Sequence, residues 1–187
     1  MRAFPKGSAS GSAQLTPNTT DQIGLPIPAP IGFASKASNI KNYGGSFHGS
    51  IYVLTNVLNF SYLWNEIRVQ GGAYGCGFAG RDDGDMFFYT YRDPQPGRSL
   101  NVFDKAVDFV RSFCAQKMDL TPMILGSMAS ADPLLNTQMK ITVAENRYFK
   151  GITYEDVCRV RHELISTTHE DLLALTDVLK YVAEDNA

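Results

Sequence analysis

The sequence is poor in the residues that most often carry chemistry. Its 187 residues include three cysteines, three histidines and one tryptophan. Cys76, Cys114 and Cys158 are scattered, with no C-x-x-C spacing. So sparse and odd a count excludes a disulfide scaffold and fits reduced thiols in a cytosol-like compartment. No apolar run approaches the length of a membrane span, and no run of Lys and Arg stands out. With a formal net charge of -2, the chain has no clustered basic surface for counterion release to act on. Neither nucleic acid nor membrane is expected as a partner. Met1 to Ala13 lacks the apolar core of a secretory signal; its two basic residues and serines faintly resemble a transit peptide, but a linker is the better reading. The expected location is intracellular, in the cytoplasm or an organelle lumen.

What is present is ordinary for one globular domain. Hydrophobic residues make up 44% and charged residues 19%, enough to bury a core at this length. Residues 1–30 are rich in Ser, Thr, Gly, Ala and Pro and end in Leu25-Pro26-Ile27-Pro28-Ala29-Pro30. They read as a flexible linker with a semi-rigid end, which leads us to expect a preceding domain. Residues 31–187 are expected to form the domain itself.

Ile31 to Lys41 is a short strand candidate ended by Gly44 and Gly45. From Ser50 to Ile67, apolar residues recur at spacings of three and four, which predicts an amphipathic helix, or two joined ones, leading into a glycine loop. Gly75–Arg81 and Met86–Arg92 flank Asp82-Asp83-Gly84-Asp85, a hairpin pattern. Val102, Ala106, Phe109, Val110 and Phe113 mark one face of a helix, and further helical stretches lie around 121–131, 134–149, 154–166 and 169–183. Thr153 and Thr168 are expected N-caps, with acids in the first turn after each. The expected class is α+β: a mostly antiparallel sheet, helices packed on one face, and a helical C-terminal tail.

Several chemical patterns fail on context. Gly75-Cys76-Gly77-Phe78-Ala79-Gly80 satisfies G-x-G-x-x-G, but a second strand follows it where a dinucleotide site needs a helix. His162-Glu163 begins like H-E-x-x-H, yet Ser166 stands where the second histidine belongs, and no histidine fits H-x-x-E-H. Cys76 as a nucleophile would need a base that the sequence does not place beside it. Arg68 and Tyr74 differ, because they bracket the Gly71-Gly72-Ala73 turn and could point to one side. A guanidinium fork and a phenol suit gripping a peptide backbone or stabilising an oxyanion. Equally, Arg68 could pair with Glu66 while Tyr74 packs in the core. Phe87, Tyr89 and Tyr91 could line a binding face or fill the core.

Leu63-Trp64-Asn65-Glu66-Ile67-Arg68-Val69-Gln70-Gly71-Gly72-Ala73-Tyr74-Gly75 closely resembles the C-terminal half of M16 metallopeptidases, in the single-chain branch that contains presequence protease and falcilysin. The similarity extends through Tyr91-Arg92-Asp93-Pro94 and into Thr153 to Ala183, covering roughly residues 31–183. The resemblance implies a LuxS/M16 metallopeptidase-like fold. It also implies that Arg68 and Tyr74, with the loop Gly71, Gly72, Ala73 and Gly75, bind substrate in a chamber that encloses unstructured peptides. Such enzymes carry zinc and its glutamate base on an inverted H-x-x-E-H motif in the first domain. No catalytic or metal-ligating residue is therefore expected in this chain. Zinc is expected in the N-terminal half of the full-length enzyme, with the N-terminal M16 domains of the same polypeptide as partners. Alone, the chain is expected to be inactive. The competing expectation is a non-catalytic M16-like binding or structural module, since fold does not settle function.

Overall fold

A computed structural model describes residues 23–184. Most of the linker read from the sequence, residues 1–22, lies outside the described residues; residues 23–30 contain no helix or strand.

The expected hairpin is the frame of the fold. Strands β2 (Gly75–Gly80) and β3 (Asp85–Tyr91) pair antiparallel. Their turn closes where Gly84 takes φ 99°, a left-handed conformation that glycine adopts without strain. Strand β1 (Ser35–Asn39) pairs with the other side of β3, giving the order β1-β3-β2. Alternation along β3 then divides the sheet into two unlike faces. Met86, Phe88 and Thr90 are buried, while Phe87, Tyr89 and Tyr91 point the opposite way.

The described helices cover only the first of these faces. Helix α1 (Ser50–Leu58) comes so close to β2 that any side chain on Gly80 would strike Ile51. Helices α2 (Pro96–Asp104) and α3 (Ala106–Ala115) follow the sheet, and Phe103 stacks on Phe88 with ring centroids 4.9 Å apart. Phe88 also leans on Phe78 at 4.8 Å. Burial of each such ring contributes about 1.5–3 kcal/mol, against roughly 0–1 kcal/mol for an exposed ion pair. The inner face, not the charged surface, holds the domain together.

Two departures from the expected helices have local causes. After Leu58 the chain leaves α geometry and runs as a π-helix over Asn59–Val69. Leu58 at the end of α1 and the buried Leu63 and Ile67 of the π-helix are five and four residues apart, so wider turns keep them on one side. Asn59, at the changeover, donates to the Phe78 carbonyl at 3.0 Å and accepts the Phe78 N–H at 2.6 Å. Its amide thereby stands in for a neighbouring strand on the outer edge of β2. The helix expected through Val102–Phe113 is broken at Lys105 (φ -87°, ψ 1°), and the break lets Val102, Phe103, Ala106 and Val107 all reach the core. A similar break at Leu175 separates α7 (His169–Ala174) from α8 (Thr176–Glu184).

In the tail, α4 (Thr121–Ala131) and α6 (Tyr154–Ile165) join the body, and both expected threonine caps form full capping boxes, Thr153 with Asp156 and Thr168 with Asp171. Helix α5 (Thr137–Lys150) is different. None of its residues is buried; Tyr148 and Phe149 lie open, and Lys150 ties it to the hairpin turn at Asp82, 2.7 Å away.

Asn59→Ala should destabilise the domain by about 1–3 kcal/mol, because it strands a backbone donor and an acceptor at once; urea unfolding will measure it. The amides of α5 should exchange with deuterium well before those of α1, whose apolar side is fully buried. Equal protection of the two helices would mean that something covers α5 in solution.

Candidate functional site

The site forms where the π-helix stops and β2 begins. Gly71 has no room for a side chain: a Cβ would lie 2.5 Å from the Ile67 carbonyl oxygen and 3.0 Å from the Arg98 guanidinium. Gly72 follows at φ 78°. The Gly72 N–H then donates to the Arg68 carbonyl (3.1 Å) and the Ala73 N–H to that of Ile67 (3.2 Å), closing the helix end. Arg98 of α2 donates to the Glu66 carbonyl and pairs with the Glu66 carboxylate at 3.4 Å. Gln95 adds a bond to the Gly71 carbonyl.

This turn sets Arg68 and Tyr74 on the same side. The Arg68 guanidinium lies 4.3 Å over the Trp64 ring and 5.7 Å from that of Tyr74. Glu66 is committed to Arg98, so the Arg68–Glu66 pairing left open by the sequence is not the one formed. Tyr74 is 65% exposed and meets Tyr91 edge-on at 6.0 Å, so it is not a core residue. Ala73, between them, is buried and anchors the turn, while Gly75 opens β2 against Tyr91.

From Tyr91 an aromatic strip runs down the uncovered sheet face. Phe33 meets Tyr91 at 5.5 Å, Tyr89 meets Phe87 at 6.1 Å, and Arg81 lies 5.2 Å over Phe87. Gly77 sits opposite Tyr89 in the ladder, and a Cβ there would lie within 2.9 Å of the tyrosine ring. Tyr89 therefore lies flat across the β2 backbone. With Gly77 beneath Tyr89 and Gly80 against Ile51, the G-x-G-x-x-G pattern serves sheet packing. Behind the strip, Tyr91-Arg92-Asp93-Pro94 ends the strand. Arg92 takes φ 50°, and the buried Asp93 carboxylate accepts from Ser99 Oγ (2.6 Å) and the Gln95 N–H (2.8 Å), which fixes the start of α2.

The strip is polar as well as aromatic, because Tyr74, Tyr89 and Tyr91 bring hydroxyls to it and an arginine stands at either end. Cation–π contacts of roughly 0.5–2 kcal/mol hold the two guanidiniums in place while their donor edges stay available. Such a surface can grip a peptide's carbonyls, carboxylates and apolar side chains. The histidines lie elsewhere: His48 beside Ser50 (2.7 Å), His162 on α6 and His169 on α7. Among the described residues no group of three or more His, Cys, Asp or Glu could hold a metal ion. Cys76 is half-buried and donates to the Leu63 carbonyl; burial pushes its thiol up to about 11, against a smaller lowering by Arg68. That is the opposite of an activated nucleophile.

The sequence singled out Arg68 and Tyr74 as candidates but not Trp64 beneath Arg68, Arg98 against Glu66 or Arg81 beside Phe87. Gly77 opposite a tyrosine in the hairpin register was the one signal that could have shown which way the aromatic residues face.

The profile of the PreP C-terminal domain family matches residues 23–187. Protein HypA of Clostridium perfringens is 29% identical over 163 residues, covering 87% of this chain and 17% of that protein. Presequence protease 1, chloroplastic/mitochondrial, of Arabidopsis thaliana is 31% identical over 84% of this chain and 15% of its own length. The mitochondrial presequence protease of Mus musculus is 26% identical over 92% of this chain and 17% of its own. The chain thus spans about a sixth of the length of these curated relatives.

At neutral pH an alkylating reagent should modify the exposed Cys158 and leave Cys76 largely unreacted. Labelling of Cys76 should climb about tenfold per pH unit as its thiol approaches ionisation. Peptide mapping by mass spectrometry will follow both sites, and equal labelling at pH 7 would refute the raised thiol.

Proposed function

The chain belongs to the PreP C-terminal domain family of the M16 peptidases, and from that premise we propose that it is the substrate-gripping domain of a zinc metalloendopeptidase that degrades unstructured peptides inside a closed chamber. One observation carries the reading: Arg68, braced on Trp64 and facing Tyr74, stands at the head of a sheet face that no described helix covers. Contiguous exposed aromatic rings mark a surface that meets a ligand or partner. Here they line an open surface that leads to a guanidinium and a phenol.

In this reading an extended peptide lies along the strip. The Arg68 fork donates to a backbone carbonyl next to the bond to be cut, and the Tyr74 hydroxyl donates to the same oxygen or its neighbour. Both groups are held before substrate arrives, which favours charge developing on that oxygen. Tyr91, Tyr89 and Phe87 then receive alternate side chains of the extended segment. A zinc ion held by the N-terminal domains of the same polypeptide would supply the activation of the attacking water; the residues of this chain hold and orient. The described residues do not themselves fit a zinc ion. The protein would act in an intracellular compartment, an organelle lumen being in keeping with relatives named as mitochondrial or chloroplastic.

In the complete polypeptide, Arg68→Gln and Tyr74→Phe should each lower kcat/KM for an unstructured peptide while leaving the fold intact. The loss of a charge-assisted hydrogen bond at Arg68 corresponds to roughly ten- to a hundredfold, with a smaller loss for Tyr74. Unchanged turnover in both variants would sink the assignment and leave a non-catalytic binding or structural module as the better account.

A further inference from the structure

The strip has a second end, at the hairpin turn. Arg81 follows β2 on the same face as Ala79 and Phe87, by the alternation of the hairpin ladder, and its guanidinium lies 5.2 Å over the Phe87 ring. Acidic residues surround it in sequence, yet each is engaged elsewhere. Lys150 holds Asp82 at 2.7 Å and reaches Asp83 at 3.9 Å. Asp85 accepts a hydrogen bond from the Asn39 amide at 2.7 Å. Among the described residues no carboxylate pairs with Arg81 or with Arg68. The strip is therefore bounded by two guanidiniums, each over an aromatic ring and neither in a salt bridge among the described residues.

That arrangement is specific about what it would take. A guanidinium laid on a ring keeps its plane fixed and presents its N–H edges outward, ready for the two oxygens of a carboxylate. Asp82, the residue following Arg81, is held by Lys150 at 2.7 Å and so does not cap the Arg81 fork.

We infer that Arg81, seated on Phe87, is a second anchoring residue of the peptide site and binds a carboxylate of the extended segment held by Arg68 and Tyr74. The inference rests on the peptide-gripping reading given above and deepens it. Tyr74 and Arg81 are seven residues apart along an extended strand, which spans roughly 23 Å. A peptide lying beside it needs about seven residues to reach from one anchor to the other. The site accordingly measures length: shorter peptides touch one arginine, and longer ones touch both if they carry an anionic group at the far end. The carboxylate can be a C-terminus or an Asp or Glu side chain, which share the recognising chemistry.

Binding of N-terminally fluorescein-labelled peptides of four to ten residues to the complete polypeptide, stripped of zinc with a chelator, tests this by anisotropy. Three sets are compared: free C-terminal acid, C-terminal amide, and amide with a terminal aspartate. Wild-type protein should bind either acid form roughly tenfold more tightly than the plain amide, with the preference appearing once the peptide reaches about seven residues. Arg81→Gln should abolish the preference, so that acid and amide forms bind with the same affinity. Arg81→Lys, which keeps charge without the planar fork, should retain part of it. Arg68→Gln should weaken all peptides together. A preference seen with only one acid form identifies the source of the carboxylate and supports the anchor. A preference that survives Arg81→Gln, or Arg68-dependent binding that never distinguishes acid from amide, overturns the Arg81 anchor alone. If no peptide binds to well-folded protein, both the anchor and the reading beneath it fall.

Discussion

The geometry of the site depends on one contact between a guanidinium and a helix-end carbonyl. A helix that stops inside a protein leaves carbonyls to be satisfied, and the π-helix has the Glu66 carbonyl met by Arg98 from α2. Arg98 is in place because α2 starts where it does, and α2 starts there because buried Asp93 gathers the Gln95 N–H and the Ser99 hydroxyl. A line of dependence thus runs from a fully buried carboxylate, through a brace on the second helix, to the exposed Arg68. Gly71 is the tightest point on that line. Its missing side chain is what lets Arg98 and the Ile67 carbonyl occupy the same corner.

The two faces of the sheet separate buried rings from open ones. Phe78, Phe88 and Phe103 meet on the covered face and supply the burial that holds the domain together. Phe87, Tyr89 and Tyr91 alternate with them along the same strand and leave a row of rings open to solvent. Exposed aromatic patches of this kind mark surfaces that are covered by something else when the protein works. Because the two rows share one strand, the open face inherits its rigidity from the packed one at no separate cost in ordering.

Much of the fold was legible in the sequence because its signals are local. The hairpin, the edge strand, the glycine turn and the two threonine caps all follow from residues within a few positions of each other. The π-helix was not legible. Spacings of three and four describe Ile51, Leu54 and Leu58 well, and the switch to five and four begins only at Leu63, too late to outweigh the earlier pattern. The breaks at Lys105 and Leu175 escaped for a different reason: apolar residues on both sides read as one continuous face, and only the shape of the core requires two. At the site, Arg68 and Tyr74 stood out by resemblance to a motif. The direction of Phe87, Tyr89 and Tyr91 did not, since an alternating strand has two equivalent phases until something packs on one side. Arg98 was hidden by distance, 32 residues beyond the carbonyl it serves.

The wide turns between Asn59 and Val69 carry a consequence for how this region can diverge. Each residue added to or taken from a helix rotates everything beyond it, by roughly 100° in an α-helix and by less in the wider turns of a π-helix. Leu63 and Ile67 must stay beneath β2, and Arg68 must emerge beside Tyr74, so the number of residues between Leu58 and Gly71 is itself under constraint. Substitutions at the exposed positions of this stretch leave that count intact. A single-codon insertion or deletion would not, and it would turn Arg68 away from the sheet without altering one letter of the motif that follows.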